Sequence, residues 1–233
     1  MSEAAASLEV PFDRARLCRE RHARLVEALR TQDLDVLVCL GHGNVNYATG
    51  ARQPGADQSR ALHGRAVATV TADGAPPTVW TSTPELVPPH LDTDVRGALD
   101  LEWADGAAEL ADQLPPGRLA IDDATVPVWQ ALASRDPSEA ATALTAAKIT
   151  KTRDELACIG TAQAINEAAI ADLEPLVAPG VRGTELTGHF LRRILELGAT
   201  GNTVDPVWQV MPDAISAGPY SATGDVVFPE HTT

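Results

Sequence analysis

Between Arg14 and Ser134 short apolar runs alternate with stretches of helical periodicity, and from Lys148 onward that alternation stops. Strands alternating with helices build a sheet covered by helices, so the first part of the chain is constrained to an α/β layer architecture. Arg14 to Arg30 reads as a helix, with Leu17, Leu25, Val26 and Leu29 as its apolar stripe and Asp13 as its N-cap. Asp35 to Leu40 follows as a buried strand in which Cys39 acts as a small hydrophobe. Gly41-His42-Gly43-Asn44 is read as a loop, and Tyr47-Ala48-Thr49-Gly50 as a strand or loop ending in a turn. Ala66 to Thr71 and Thr78 to Thr81 flank Asp73-Gly74 in the manner of a hairpin. Leu99 to Trp103 reads as a further strand and Ala107 to Leu114 as a helix broken by Pro115-Pro116-Gly117. Arg118 to Asp122 is then a strand, and Pro127 to Ser134 a short helix with proline in its first turn.

The character changes at a boundary placed at about residues 146–152. Thr152 caps a long helix from about Arg153 to Val177, and Thr152-Arg153-Asp154-Glu155 has capping-box spacing. Ile159, Ala162, Ile170, Leu173 and Val177 are expected along its buried face, interrupted by Asn166. After Pro179-Gly180, Thr184 is expected to cap a second helix through Leu197, with Leu186, Phe190, Ile194 and Leu197 on one face and Gly198 as its stop. Beyond Asn202 the pattern is extended and rich in turns.

Charge narrows the function classes. The 233 residues carry 18 Lys and Arg against 32 Asp and Glu, a formal charge of −14. Nonspecific nucleic-acid or anionic-membrane binding needs an excess of cations, so neither partner is expected. Met1 to Val10 lacks the basic and apolar regions of a signal peptide, and no run approaches the ~20 apolar residues of a membrane span. Cys18, Cys39 and Cys158 are sparse, odd in number and outside any paired spacing, which reads as reduced thiols in a cytoplasmic protein.

The motifs are mostly structural on their residues alone. Gly41-His42-Gly43-Asn44-Val45-Asn46 follows a strand but has Asn46 where a dinucleotide-binding turn needs its third glycine. The six histidines form no His-x-x-x-His pair, and no serine has a nucleophile-elbow context. Asp122-Asp123 reads as loop or cap residues rather than a catalytic pair, and Trp80, Trp103, Trp129 and Trp208 as core or interface anchors.

Several segments, in order, resemble one family. Arg24-Leu25 through Asp33-Leu34-Asp35-Val36-Leu37-Val38 is similar to the opening helix and first strand of the creatinase, prolidase and aminopeptidase P group. Asn46-Tyr47-Ala48-Thr49-Gly50 resembles that family's Asn-x-x-Tyr-Leu-Thr-Gly segment with a shortened spacing. Lys148-Ile149-Thr150-Lys151-Thr152-Arg153-Asp154-Glu155-Leu156 resembles the linker and first helix of its catalytic domain. Pro179-Gly180-Val181-Arg182-Gly183-Thr184-Glu185 resembles the turn into the second helix, and Gly198-Ala199 with Val204-Asp205-Pro206-Val207 the stretch that follows.

The resemblance implies a small creatinase-like α/β domain over residues 12–147. It implies the first part of a pita-bread α+β catalytic domain over 148–233. Complete members are expected to bind two divalent metal ions (Mn, Co or Zn) through two Asp, one His and two Glu, and to activate a water on peptide or small amide-type substrates. All five ligands fall after the matched stretch, so no residue here is assigned as a metal ligand or as catalytic. Tyr220, Ser221 and Thr223 stand where the family's upstream histidine is expected. The implied picture is a chain truncated before its dinuclear site and inactive alone, in a cytoplasmic homodimer. In it, His42, Arg52 and His63 are the substrate-facing candidates, presented toward a neighbouring subunit's site. The alternative is a non-catalytic binding or assembly module built on the same fold.

Overall fold

The computed structural model describes residues 12–52, 66–202, 206 and 208. The extended stretch expected beyond Asn202, including Ser216 to Pro229, lies outside the described residues apart from Pro206 and Trp208. The chain divides into two compact units, one of residues 13–155 and one that takes in the residues from Leu156 onward.

The first unit is a six-stranded sheet between two layers of helices. Its strands are β1 (Val36–Cys39), β2 (Val67–Thr71), β3 (Thr78–Thr81), β4 (Asp94–Gly97), β5 (Leu119–Ile121) and β6 (Ser138–Glu139), in spatial order β4-β3-β2-β1-β5-β6. β1 pairs antiparallel with β2 (Val36 opposite Thr71) and parallel with β5 (Val36 opposite Leu119). β5 and β6 are parallel, β2 and β3 antiparallel, and β3 and β4 parallel. The helices are α1 (Arg14–Thr31), α2 (His42–Thr49), α3 (Ala104–Gln113), α4 (Val126–Leu132) and α5 (Ala141–Lys148).

Alternation along β1 assigns the two faces. Leu37 and Cys39 pack with Leu25 and Leu29 of α1, Val45 and Ala48 of α2, and Leu144 of α5. Val36 and Val38 point the other way, toward Leu110 of α3 and Val128 and Leu132 of α4, with Trp80 between them. β1 is buried on both faces. That is why it reads as a continuous apolar run instead of an alternating one.

Three expectations change here. His42 to Thr49 is a helix, not a loop followed by a strand or loop, because tertiary contacts supply what its sequence lacks: Val45, Tyr47, Ala48 and Thr49 are buried and its start is capped by Asp122, just after β5. Gly50 ends it at φ +74°, where a Cβ would meet Cys18 Sγ and Pro88 Cγ at 2.8 Å. Leu99 to Trp103 is not a strand; Leu99 is buried from irregular chain and Leu101 from the turn that follows, and the strand is Asp94–Gly97, an exposed edge with no apolar pattern. The Ala107–Leu114 helix starts three residues earlier, at Ala104. The helix α5 and the two-residue β6 had no counterpart in the sequence reading.

α6 (Arg153–Leu173) begins within the first unit. The Thr152 N–H donates to Glu155 Oε2 at 2.8 Å and the Glu155 N–H to Thr152 Oγ1 at 3.1 Å, the reciprocal capping box its spacing implied. The helix ends at Leu173, not Val177, and a 3₁₀ turn over Glu174–Leu176 contains Pro175, whose ring and missing N–H end regular helix. Its buried face is also rotated from the expected one. Ile165, Ala169 and Leu173 are buried, at i, i+4 and i+8, while Ile159, Ala162, Ile170 and Val177 are exposed.

In the second unit α6 packs on α7 (Gly183–Glu196) through Leu186, Phe190, Ile194 and Leu197, the face the spacing implied. Thr184 is not the cap of α7; Arg182 holds the N-cap position, and its N–H donates to the Glu185 carboxylate at 3.3 Å. The Trp208 indole donates to Thr187 Oγ1 at 3.0 Å and meets Phe190 edge-on, with centroids 5.7 Å apart. Among the described residues no helix is long and apolar enough to cross a membrane.

Candidate functional site

Adjacent parallel strands β1 and β5 send their outgoing chain to opposite faces of the sheet: β1 leads into α2 on one face, and β5 into α4 on the other. A crevice opens where such connections diverge, outside the carboxyl ends of the strands. Here it encloses about 420 Å³, between Asn44 of α2, Asp122 and Asp123 after β5, Trp129 of α4, Glu139 of β6 and Leu144 of α5. That volume lies within the ~300–1,000 Å³ typical of ligand sites.

Asp122 is the organising residue. α2 starts at Gly41, which has no side chain to cap it. The Asp122 carboxylate accepts from the Gly41 N–H at 3.2 and 3.3 Å, from the Leu40 N–H, and from the Asn44 side-chain amide. A Cβ on Gly41 would stand 3.0 Å from Asp122 Oδ2, so glycine is what permits this approach. Helix N-termini attract anions, and here the chain's own carboxylate fills the place a phosphate would take. The partial glycine motif at Gly41 is therefore a structural turn.

A chain of polar contacts runs inward from Asp122. Lys148 Nζ donates to Asn44 Oδ1 and lies 5.0 Å from the centre of the Tyr47 ring. Burial holds the Lys148 ammonium below its ordinary pKa. Tyr47, whose pKa is raised by burial first and then by Glu155, donates its hydroxyl to the Ala147 carbonyl at 2.9 Å. The Arg21 guanidinium lies 4.8 Å from the same ring and pairs with Glu155 at 2.9 Å. Arg16 grips the neighbouring Asp154 with Nε–Oδ2 2.7 Å and Nη2–Oδ1 2.6 Å.

The residues singled out by resemblance lie elsewhere. His42 is exposed in the first turn of α2, and Arg52 is exposed beyond its last, with its N–H donating to the Leu86 carbonyl at 3.2 Å. His42 stands at the start of α2 and Arg52 follows its end, past the Gly50 turn, and neither lines the crevice. His63 lies outside the described residues. In the sequence Trp129 reads as a core or interface anchor, Asn44 and Lys148 enter only as members of longer segments, and Glu139 is not singled out. Asp122 and Asp123 read together as loop or cap residues, and for Asp122 that reading agrees with its contacts.

No family model matches the sequence, and no curated protein matches it. Solved structures do. The Xaa-Pro dipeptidase from Bacillus anthracis is similar over 91% of this chain and 58% of its own, at TM-score 0.64 and 15% identity. The prolidase from Pyrococcus horikoshii OT3 matches over 90% of this chain and 57% of its own, at TM-score 0.62 and 14% identity. The dipeptidase PepE from Mycobacterium ulcerans matches over 84% and 54%, at 0.63 and 17%. The chain has the prolidase fold. It spans a little over half the length of these prolidase-fold structures. The expected α/β class, with a creatinase-like domain leading into part of a pita-bread domain, agrees with this likeness. Among the described residues no group of three or more His, Cys, Asp or Glu could hold a metal ion. The donor set needed for a metal pair is thus not assembled by them, and no reaction step is derived through one.

Proposed function

We propose that this chain belongs to the Xaa-Pro peptidase and creatinase-like metallohydrolases. Residues 12–147 serve as the family's amino-terminal domain and residues 148–233 as the first part of its catalytic domain. The supporting observation is that the likeness to the Bacillus anthracis Xaa-Pro dipeptidase extends over 91% of the chain rather than stopping at the six-stranded unit. Complete relatives use two divalent ions, Mn, Co or Zn, on peptide or small amide substrates, whereas these 233 residues by themselves do not hydrolyse them. The working form is a cytoplasmic homodimer, in which His42, Arg52 and His63 face a neighbouring subunit's substrate. Exposure of His42 and Arg52 is compatible with that role.

Hydrolysis of proline-containing dipeptides by the 233-residue chain, assayed with Mn, Co and Zn, tests the claim of inactivity. No turnover above the metal-only control is expected, and metal-dependent turnover would overturn it. The family assignment is tested apart from that by light scattering, where a monomer at all concentrations counts against the homodimer. Appending the second half of a prolidase to residue 233 tests it more directly. Metal-dependent cleavage by the chimaera supports the hydrolase reading, and a folded but inert chimaera favours the non-catalytic module.

A further inference from the structure

The formal charge of −14 is not spread evenly along the chain. The start of α1 and the turn into α6, residues 13–24 and 148–155, hold eight of the 18 Lys and Arg but only four of the 32 Asp and Glu. This stretch is cationic by four charges, and the remainder is anionic by eighteen. Contacts within the first unit bring its two halves together. The Asp13 N–H donates to Asp154 Oδ1 at 3.0 Å, and Arg16 holds both oxygens of the same carboxylate. Arg21 pairs with Glu155, and Arg24 donates to the Thr150 carbonyl.

Burial sorts these charges by sign. The side chains of Asp154 and Glu155 are 1% and 9% exposed, against 40% and 20% for their partners Arg16 and Arg21. Arg14, Arg19 and Arg153 are exposed and form no ion pair or side-chain hydrogen bond among the described residues. Lys151, also exposed, donates to the Lys148 carbonyl and keeps its charge. The cations act on shared neighbours. The Arg16 N–H first, then the Arg16 and Arg19 guanidinium groups, hold the Asp13 carboxyl below its ordinary pKa. Arg16 and then Arg153 act in the same sense on Asp154. Burial pushes the Cys18 thiol up, against the pull of Arg21, Arg14 and Arg19. Exposed Asp13 and half-buried Glu20 are the acids that remain at this surface.

An arginine fork matches a carboxylate or a phosphate two bonds at a time. The size of the surface selects among polyanions. Arg14 to Arg24 spans about 15 Å of helix, the length of about five residues of extended polypeptide. A nucleic acid or an anionic membrane reaches past that length, onto surface where acids outnumber cations, and is repelled there. A short acidic peptide segment is not. We propose that the surface formed by Arg14, Arg16, Arg19, Lys151 and Arg153 receives a short acidic segment of a partner polypeptide, whose carboxylates pair with Arg14, Arg19 and Arg153. It lies wholly within residues 13–155 and is independent of the hydrolase reading. At physiological salt a screening length of about 8 Å leaves this local field in place and hides the distant acids.

The test is a titration of the 233-residue chain with three probes, followed by fluorescence anisotropy and by backbone amide resonances. The probes are the labelled, end-blocked peptide Glu-Glu-Glu-Glu-Glu, its all-glutamine counterpart, and a thymidine oligonucleotide of about the same charge. The glutamate peptide is expected to bind saturably and to move the amides of residues 14–24 and 151–155, with the glutamine peptide about tenfold weaker. Arg14→Gln, Arg19→Gln and Arg153→Gln together should weaken the glutamate peptide about tenfold, whereas Arg192→Gln on α7 should leave it unchanged. Glu20→Gln should tighten it about twofold, an effect that a merely structural role of the arginines would not produce. Unchanged melting is the folding check. If the triple variant melts early, Arg19→Gln and Arg153→Gln are read singly, each about twofold weaker. Equal binding of the glutamate and glutamine peptides, resonances that move only elsewhere, or undiminished binding by the arginine variants would each overturn the proposal. An oligonucleotide that binds more tightly than the glutamate peptide would overturn the polypeptide part of it.

Discussion

Asp122 caps an amide 82 positions earlier in the chain, at Leu40. Its removal strands the N–H groups at the start of α2, and a charged hydrogen bond of this kind contributes about 1.5–3 kcal/mol. Asp122→Ala should therefore lower the urea-derived stability by about that amount, while Asp122→Asn keeps an acceptor and loses less. Asp154 supports a prediction in pH. The Arg16 guanidinium first, then the Asp13 N–H, hold its carboxyl down to about 2 from 3.8. A depressed carboxylate contributes stability above its unfolded pKa and loses it as pH falls through the folded one. The urea midpoint of the wild type should exceed that of Asp154→Asn at pH 5 and above, and the two curves should converge between about pH 4 and 2. A gap that stays constant across that range would show that the Arg16 pair does not titrate with folding.

At the scale of elements, packing outweighs propensity. Leu29 of α1 is fully buried against the sheet, so Leu29→Ala should cost about 2–5 kcal/mol in a denaturant titration. Elements whose burial follows a simple pattern were legible in advance: α1 by its stripe and its Asp13 cap, β1 and β5 as apolar runs, and β2 with β3 by the Asp73-Gly74 turn. β4 and β6 carry no apolar pattern because every residue in them is exposed at a sheet edge. α2 was illegible because its cap is Asp122, in the loop after β5, and α5 because Ala141–Lys148 offers only small residues and Leu144 to the core. For α6 the helical period was visible but the phase was not. Ile159 and Ile170 are large and apolar yet exposed, whereas Ala169, the smaller residue, is the one fully buried against α7. The candidate site was the least legible, since its walls come from Asn44, Asp122, Trp129 and Glu139, on four different elements.

For the whole molecule, an excess of fourteen negative charges sets up self-repulsion that salt relieves. Raising ionic strength from 0.01 to 0.15 M shortens the screening length from about 30 to about 8 Å. The melting temperature should rise over that interval; a fall would mean that ion pairs such as Arg16–Asp154 outweigh the net charge. The central place of β1 has a consequence during synthesis. One of its edges is closed early by β2, but the other waits for Leu119–Ile121. At about 5–20 residues per second, the ribosome needs roughly 4–16 s to make the intervening stretch of about 80 residues. Through that interval the nascent chain carries an open, apolar strand edge, the kind of surface that recruits chaperones or a neighbouring nascent chain.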